Sequence, residues 1–261
     1  MIFTIFHTLL LLTHFLCDLF FEIRNCCLAV YRKCCEIFYG ENLRTEIKTL
    51  VKIVRRTGNL PKHIVIVYGT KEDTIVDCIR IIGWCITLGI PYISFFDSNG
   101  FLSRNESILK LEVAKRRPDL VDYINWGKSS STPVRNGITT MSIQNGTTGP
   151  MCKVSVLLLS PEDGRGEIVA LTRELAKAVT TGSIKSEEIN DELLSEKLKL
   201  GNIPNPDMAI IYGRSCCTYG VLPWHTKITE FFMLPVYDRL SVQDFVNLLN
   251  KYSKCEQRFG K

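Results

Sequence analysis

Residues 63–97 read HIVIVYGTKEDTIVDCIRIIGWCITLGIPYISFFD, and the fold turns on them. HIVIVYG (63–69) is a short, mostly β-branched run closed by glycine, the pattern of a strand buried on both faces. EDTIVDCIRIIGWCITLG (72–89) has the length and apolar content of a helix, with Gly89 as its stop signal. YISFFD (92–97) is a second strand. A strand, a helix and a strand in this order predict a crossover between parallel neighbours.

The alternation continues outward. SRNESILKLEVAKRR (103–117) predicts a polar-faced helix stopped by Pro118, and KVSVLLLS (153–160) a third strand. PEDGRGEIVALTRELAKAV (161–179) opens with helix-start signals, and SEEINDELLSEKLKL (186–200) is a further helix ended by Gly201. DMAIIYG (207–213) is the fourth strand. SVQDFVNLLNKYS (241–253) is a helix capped by Ser241, with Phe245, Val246, Leu248, Leu249 and Tyr252 on its apolar side. Upstream, ENLRTEIKTLVKIVRR (41–56) sets Leu43, Ile47, Leu50, Val51 and Val54 on a helical face. Residues 127–150, rich in Ser, Thr, Gly and Asn, predict a flexible insertion. The predicted fold class is α/β, a mostly parallel sheet covered by helices, occupying residues 61–261.

The chain opens MIFTIFHTLLLLTHFLCDLFFEI (1–23), with no Lys or Arg and only Asp18 and Glu22 as acids. It is long enough to cross a bilayer, which takes ~20 mostly apolar residues. It lacks the basic start and small-residue cleavage site of a signal peptide. A transmembrane anchor over 1–23 is therefore expected, followed by a juxtamembrane linker and helix over 24–60. Arg24, Arg32 and Lys33 follow at once, and the excess of positive residues places the main domain in the cytosol. The 11 cysteines form no CxxC pair, which argues against structural zinc and suits a reducing compartment. Cys26, Cys27, Cys34 and Cys35 stand beside the membrane and are candidates for palmitoylation. A net charge of +5 over 261 residues, without a long Lys/Arg run, is too weak to argue for nucleic acid, and no nucleic-acid partner is expected. Two N-glycosylation triplets begin at Asn105 and Asn145.

Ligands of such folds sit past the carboxyl ends of the strands, yet those segments offer little chemistry. HIVIVYGTKED has no glycine-rich phosphate loop. SFFDSNGFLSRN sets Asp97, Asn99, Arg104 and Asn105 after a strand, which is ordinary turn chemistry. YGRSCCTYGVLPWH holds Arg214, Cys216, Cys217 and His225, a Cys–His combination that nothing in the spacing fixes as a nucleophile and base. The residues KCEQRFGK (254–261) admit two readings, a solvated tail or an anion clamp.

LLSPEDGRGEIV (158–169), PNPDMAI (204–210), GVLPWHTKITE (220–230) and CEQRFGK (255–261) resemble the cis-prenyltransferases, and above all the non-catalytic subunits of their heteromeric members. The resemblance covers roughly His63 to Lys261. It implies a family that adds isopentenyl diphosphate to an allylic diphosphate such as farnesyl diphosphate, with Mg²⁺ on the leaving group. The active members carry an Asp after the first strand, where this chain has Gly69. Their two isopentenyl-binding Arg and following Ser fall on Ile211, Cys217 and Tyr219, while a later Ser-Glu survives as Thr229-Glu230. A retained scaffold without its own catalytic or metal-binding residues is implied. The family's C-terminal Arg-x-Gly, here Arg258, Phe259 and Gly260, reaches into the partner's active site and binds diphosphate in trans. This decides for the clamp. The expectation is an accessory subunit, single-pass in the endoplasmic reticulum membrane, whose catalytic partner holds most of the Mg²⁺ site. The strand near Glu230 lies close to that partner. The product would be a long polyprenyl diphosphate for dolichol and protein glycosylation. The alternative is a membrane-anchored receptor with no part in prenyl transfer, which would use the Asn105 and Asn145 triplets in a lumen.

Overall fold

A computed structural model describes residues 2–39, 59–69, 74–127, 152–198, 200–213, 215–234 and 240–255. The expected helix at 41–56, nearly all of the 127–150 insertion, Arg214 and residues 256–261 lie outside the described residues. The chain divides into an N-terminal unit and a larger α/β unit.

The described residues of the N-terminal unit form α1 (Ile2–Tyr39), a helix of 38 residues. Its stretch Phe3–Arg24 is 22 residues long with a mean hydropathy of 1.6, which meets the length and composition of a membrane span. At 1.5 Å per residue it measures about 33 Å, against a hydrocarbon core of about 30 Å. The helix runs on without a break through residues 24–39.

In the larger unit, the described residues form one six-stranded sheet: β1 (His63–Tyr68), β2 (Tyr92–Asp97), β3 (Ile124–Trp126), β4 (Val154–Leu159), β5 (Met208–Tyr212) and β6 (Glu230–Leu234). Their order is β3-β4-β2-β1-β5-β6 and every neighbouring pair is parallel. β1 explains why its sequence reads as one apolar run. Ile64, Ile66 and Tyr68 enter a large core on one face, with Val65 and Val67 in a second core on the other. The first core takes α2 (Ile75–Leu88) and α7 (Val242–Tyr252), with the Trp84 and Phe245 rings 5.3 Å apart. Gly89 ends α2 as expected, at φ +75°, with its N–H donating to the Cys85 and Ile86 carbonyls. Ser241 caps α7 by accepting from the Asp244 N–H at 3.1 Å.

Three expected helices differ in extent. The 103–117 segment begins two residues earlier and divides at Asn105 (φ −110°, ψ 28°) into α3 (Phe101–Arg104) and α4 (Glu106–Arg116); the Asp97 carboxylate starts α3 by accepting from the Asn99, Phe101 and Leu102 N–H groups at 3.1, 2.8 and 2.9 Å. The 161–179 segment begins with a wide turn, Glu162–Gly166, before α5 (Glu167–Thr180). The 186–200 segment is a short 3₁₀ turn, Ser186–Glu188, and then α6 (Asp191–Lys197). Asn190 is extended there and caps α6 by accepting from Leu193 N–H at 2.9 Å. β3 has only three residues, too few to show a period, and no separate strand was expected for it.

Candidate functional site

β1 connects to β2 on one side of the sheet, and β5 connects to β6 on the other. The connections therefore part between β1 and β5, which is where a doubly wound sheet opens its ligand crevice. Gly69 ends the first of these strands and Gly213 the second. Gly69 is already engaged: its N–H donates to the Tyr212 carbonyl at 3.1 Å, and its own carbonyl accepts from the Ser98 hydroxyl.

One of the chain's own side chains lies in the crevice. A Cβ placed on Gly69 would meet the hydroxyl of Tyr219 and lie 2.8 Å from its Cζ and 3.1 Å from its Cε2. A Cβ on Gly213 would lie 3.5 Å from the same hydroxyl. Tyr219, half-buried, thus lays its phenol across the ends of β1 and β5, in the space a side chain after β1 would need. The chain reaches this pose through left-handed backbone at Tyr219 (φ +51°), Gly220 (φ +77°) and Leu222 (φ +39°). For a non-glycine residue that conformation costs about 1–2 kcal/mol, so the surrounding contacts must hold the loop.

Those contacts come from the turn after β4. A Cβ on Gly164 would run into the Gly220 carbonyl oxygen and stand 3.3 Å from its carbon. The Arg165 side chain lies along Gly220, where an added Cβ would be 2.7 Å from its Nε. The turn is itself tied by Asp163, which accepts from the Ser160 N–H at 3.0 Å and hydroxyl at 2.9 Å. Two of the sequence stretches that carry the resemblance, 158–169 and 220–230, are therefore in backbone contact.

The remaining expected positions fall as follows. Ile211 is fully buried in the second core with Val65, Val67, Leu159 and Val221. Cys216 and Cys217 are exposed, and Cys217 Sγ accepts from the Tyr219 N–H at 3.4 Å. His225 is buried and its Nε2 lies 2.6 Å from the Leu198 carbonyl oxygen. The Trp224 indole donates to Ser195 on α6 at 3.1 Å, and the Thr229 hydroxyl to the Pro206 carbonyl at 2.7 Å. Asp97 accepts from backbone N–H groups, and Asp163 accepts from the N–H and the hydroxyl of Ser160. The Asn105 amide donates to the Phe101 carbonyl at 2.8 Å. Arg258, Phe259, Gly260 and Asn145 lie outside the described residues.

No three His, Cys, Asp or Glu side chains converge among the described residues in a way that could hold a metal ion. Among the described residues, Gly69 brings no carboxylate and a phenol lies against it, a donor set that does not fit Mg²⁺. β6 is an edge strand that turns Phe232 and Leu234 into the first core and exposes Phe231 and Met233, with Ile228 exposed just before it.

At the opposite end of β1, His63 is buried, with Nδ1 2.7 Å from the Pro204 carbonyl oxygen and Nε2 2.8 Å from the Ser94 hydroxyl. Burial pushes its pKa down to about 4, against the raising effect of the Pro204 bond, so the ring is neutral near pH 7.

The profile of the prenyltransferase family described as undecaprenyl diphosphate synthase matches residues 72–260. The chain belongs to that family. It is similar to the dehydrodolichyl diphosphate synthase complex subunit NUS1 of Homo sapiens, 31% identical over 209 residues, covering 79% of this chain and 69% of the relative. The corresponding subunit nus1 of Schizosaccharomyces pombe is 28% identical over 205 residues, with 77% of each chain covered. Among solved structures, lavandulyl diphosphate synthase from Lavandula x intermedia in complex with dimethylallyl diphosphate matches with a TM-score of 0.52 at 17% identity. That match covers 77% of this chain and 99% of the other, a likeness of fold.

Gly69 and Tyr219 are both singled out by the sequence analysis, but nothing in the sequence says that they touch. The Gly164–Gly220 contact has only a faint signal, two glycines in separate motifs, one of them in left-handed backbone.

Proposed function

We propose that this chain is the accessory subunit of a heteromeric cis-prenyltransferase that makes long-chain polyprenyl diphosphate for dolichol. The observation that carries this reading is the phenol of Tyr219 seated against Gly69, at the sheet's ligand crevice. The chain's own phenol in the crevice, beside a fully buried Ile211 where the resemblance puts an Arg of the active enzymes, supports a subunit without a diphosphate site of its own. The relatives named as complex subunits support the same reading.

The chain's contribution is made in trans. Arg258 supplies a permanently charged guanidinium that binds phosphate oxygens in a bidentate way. Backbone N–H groups at Phe259 and Gly260 donate to the same anion, and glycine lets the backbone approach it closely. The partner supplies the catalytic carboxylate, the Mg²⁺ site and the binding pocket for the growing chain. The partner docks across the open edge of β6, where Phe231 and Met233 offer apolar contact. The Phe3–Arg24 stretch anchors the subunit in the endoplasmic reticulum membrane with the α/β unit in the cytosol.

Reconstitution tests the assignment. Isopentenyl diphosphate incorporation is followed with this chain alone, with the catalytic subunit alone and with both. Turnover confined to the mixture is expected; a catalytic subunit equally active without this chain would overturn the assignment, as would turnover by this chain alone.

A further inference from the structure

The cysteines next to the apolar stretch have no role in the shared site. Cys26 and Cys27 both expose their thiols on α1, directly after Phe3–Arg24. At 1.5 Å per residue they stand about 3 and 5 Å beyond Arg24 along the helix axis. Cys17, also exposed, sits about 10 Å inside the stretch, and Cys34 and Cys35 lie about 15 and 17 Å beyond Arg24. Arg24 marks the boundary: its guanidinium is 5.2 Å above the Phe21 ring, a cation folded back over the apolar end it terminates. The stretch is a modest span, since His7, His14, Asp18 and Glu22 lie within it.

We propose that Cys26 and Cys27 are S-acylated by a long-chain fatty acid, and that Cys17, Cys34 and Cys35 are not. The proposal rests on the reading of residues 3–24 as a membrane span. The donor is a long-chain acyl-coenzyme A. The cysteine thiolate attacks the thioester carbonyl carbon, a new C–S bond forms, and the bond to coenzyme A breaks. Coenzyme A leaves as a thiolate and takes up the proton the cysteine gave up, with no net oxidation. This transfer needs a thiol at the water–membrane boundary on the side that holds reduced thiols and acyl-coenzyme A. The basic residues Arg24, Arg32 and Lys33 mark that side as cytosolic.

The selectivity follows from depth. A chain attached at Cys26 or Cys27 enters the hydrocarbon immediately. From Cys34 or Cys35 it would first cross about 15 Å of helix outside the core, through the headgroup region. At Cys17 the thioester itself would have to form inside the hydrocarbon, away from its soluble donor. Acylation at the boundary adds a second membrane signal to a span weakened by its own polar residues.

The test uses the full chain expressed in eukaryotic cells fed alkyne-tagged palmitic acid, with carbonate extraction of the membranes run in parallel. The expected result is hydroxylamine-sensitive label on the wild type, lost in the Cys26→Ser/Cys27→Ser chain and kept in Cys17→Ser and in Cys34→Ser/Cys35→Ser. An unlabelled wild type that still resists carbonate overturns the acylation and leaves the span reading intact. Label that persists in Cys26→Ser/Cys27→Ser overturns the assignment of the sites. Release of the wild type by carbonate overturns the span reading and the acylation with it.

Discussion

If Tyr219 holds the place of a missing side chain, a methyl group on Gly69 must displace it. Gly69 lies outside the left-handed region, so alanine there meets no backbone strain. The whole penalty falls on the ring, whose Cζ would be 2.8 Å from the new Cβ, when carbon atoms in contact sit at about 3.5–4.0 Å. Tyr219 therefore has to retreat by close to 1 Å or swing out. It is half-buried and can leave, losing its packing against the second core. Overpacking of a full core costs about 1–3 kcal/mol, and for a ring free to move the lower part, about 1–2 kcal/mol, applies. For a domain of this size that is a loss of about 2–8 °C in Tm. Glycine suits the left-handed backbone at 219, so Tyr219→Gly removes the obstacle without adding strain. In that background Gly69→Ala should cost nothing, a coupling of about 1–2 kcal/mol between the two sites. Denaturant unfolding of the four chains in detergent measures it. An equal cost for Gly69→Ala in both backgrounds would refute the contact.

Other outcomes follow from the same geometry. Gly164→Ala sets a Cβ against the Gly220 backbone, which cannot rotate away, so it should destabilise more than Gly69→Ala, by about 3 kcal/mol in the same unfolding assay. His63 is protonated below about pH 4 in the folded chain and below about 6.5 when unfolded, so the unfolded state binds the extra proton between those values. Stability should fall as pH drops from 6.5 to 4, by on the order of 3 kcal/mol, and His63→Asn should flatten that part of the profile; a wild-type profile no steeper than the variant's would refute it. Phe231→Glu places a charge on the exposed face of β6. It should weaken binding to the catalytic subunit by about 10-fold or more while leaving the chain's own unfolding midpoint unchanged, as measured by titration and denaturation.

Much of the fold was legible because the strands are covered on both faces. HIVIVY, YISFFD, VSVLLL and MAIIY read as apolar runs, and the helices between them carry clear stops such as Gly89 and caps such as Ser241. What the sequence hid depends on side-chain bonds formed only in place. Asp97 turns back onto three N–H groups and starts one helix early, Asn190 caps another, and INW is too short to carry a period. The candidate residues Gly69, Ile211, Cys217 and Tyr219 were expected only by counting against a family pattern, and the structure sets Tyr219 against Gly69. That the Tyr219 phenol lies against Gly69 follows from the left-handed loop at 219–222, whose backbone is favoured only by Gly220.

The most direct test of the shared site is the turnover of the reconstituted complex carrying Arg258→Ala. Removing one donor to a diphosphate in a preorganised site typically costs about 10²–10³ in rate. The account predicts a loss of that size, with the complex still assembling and this chain's unfolding midpoint unchanged. Turnover within a few-fold of wild type in the Arg258→Ala complex would contradict it.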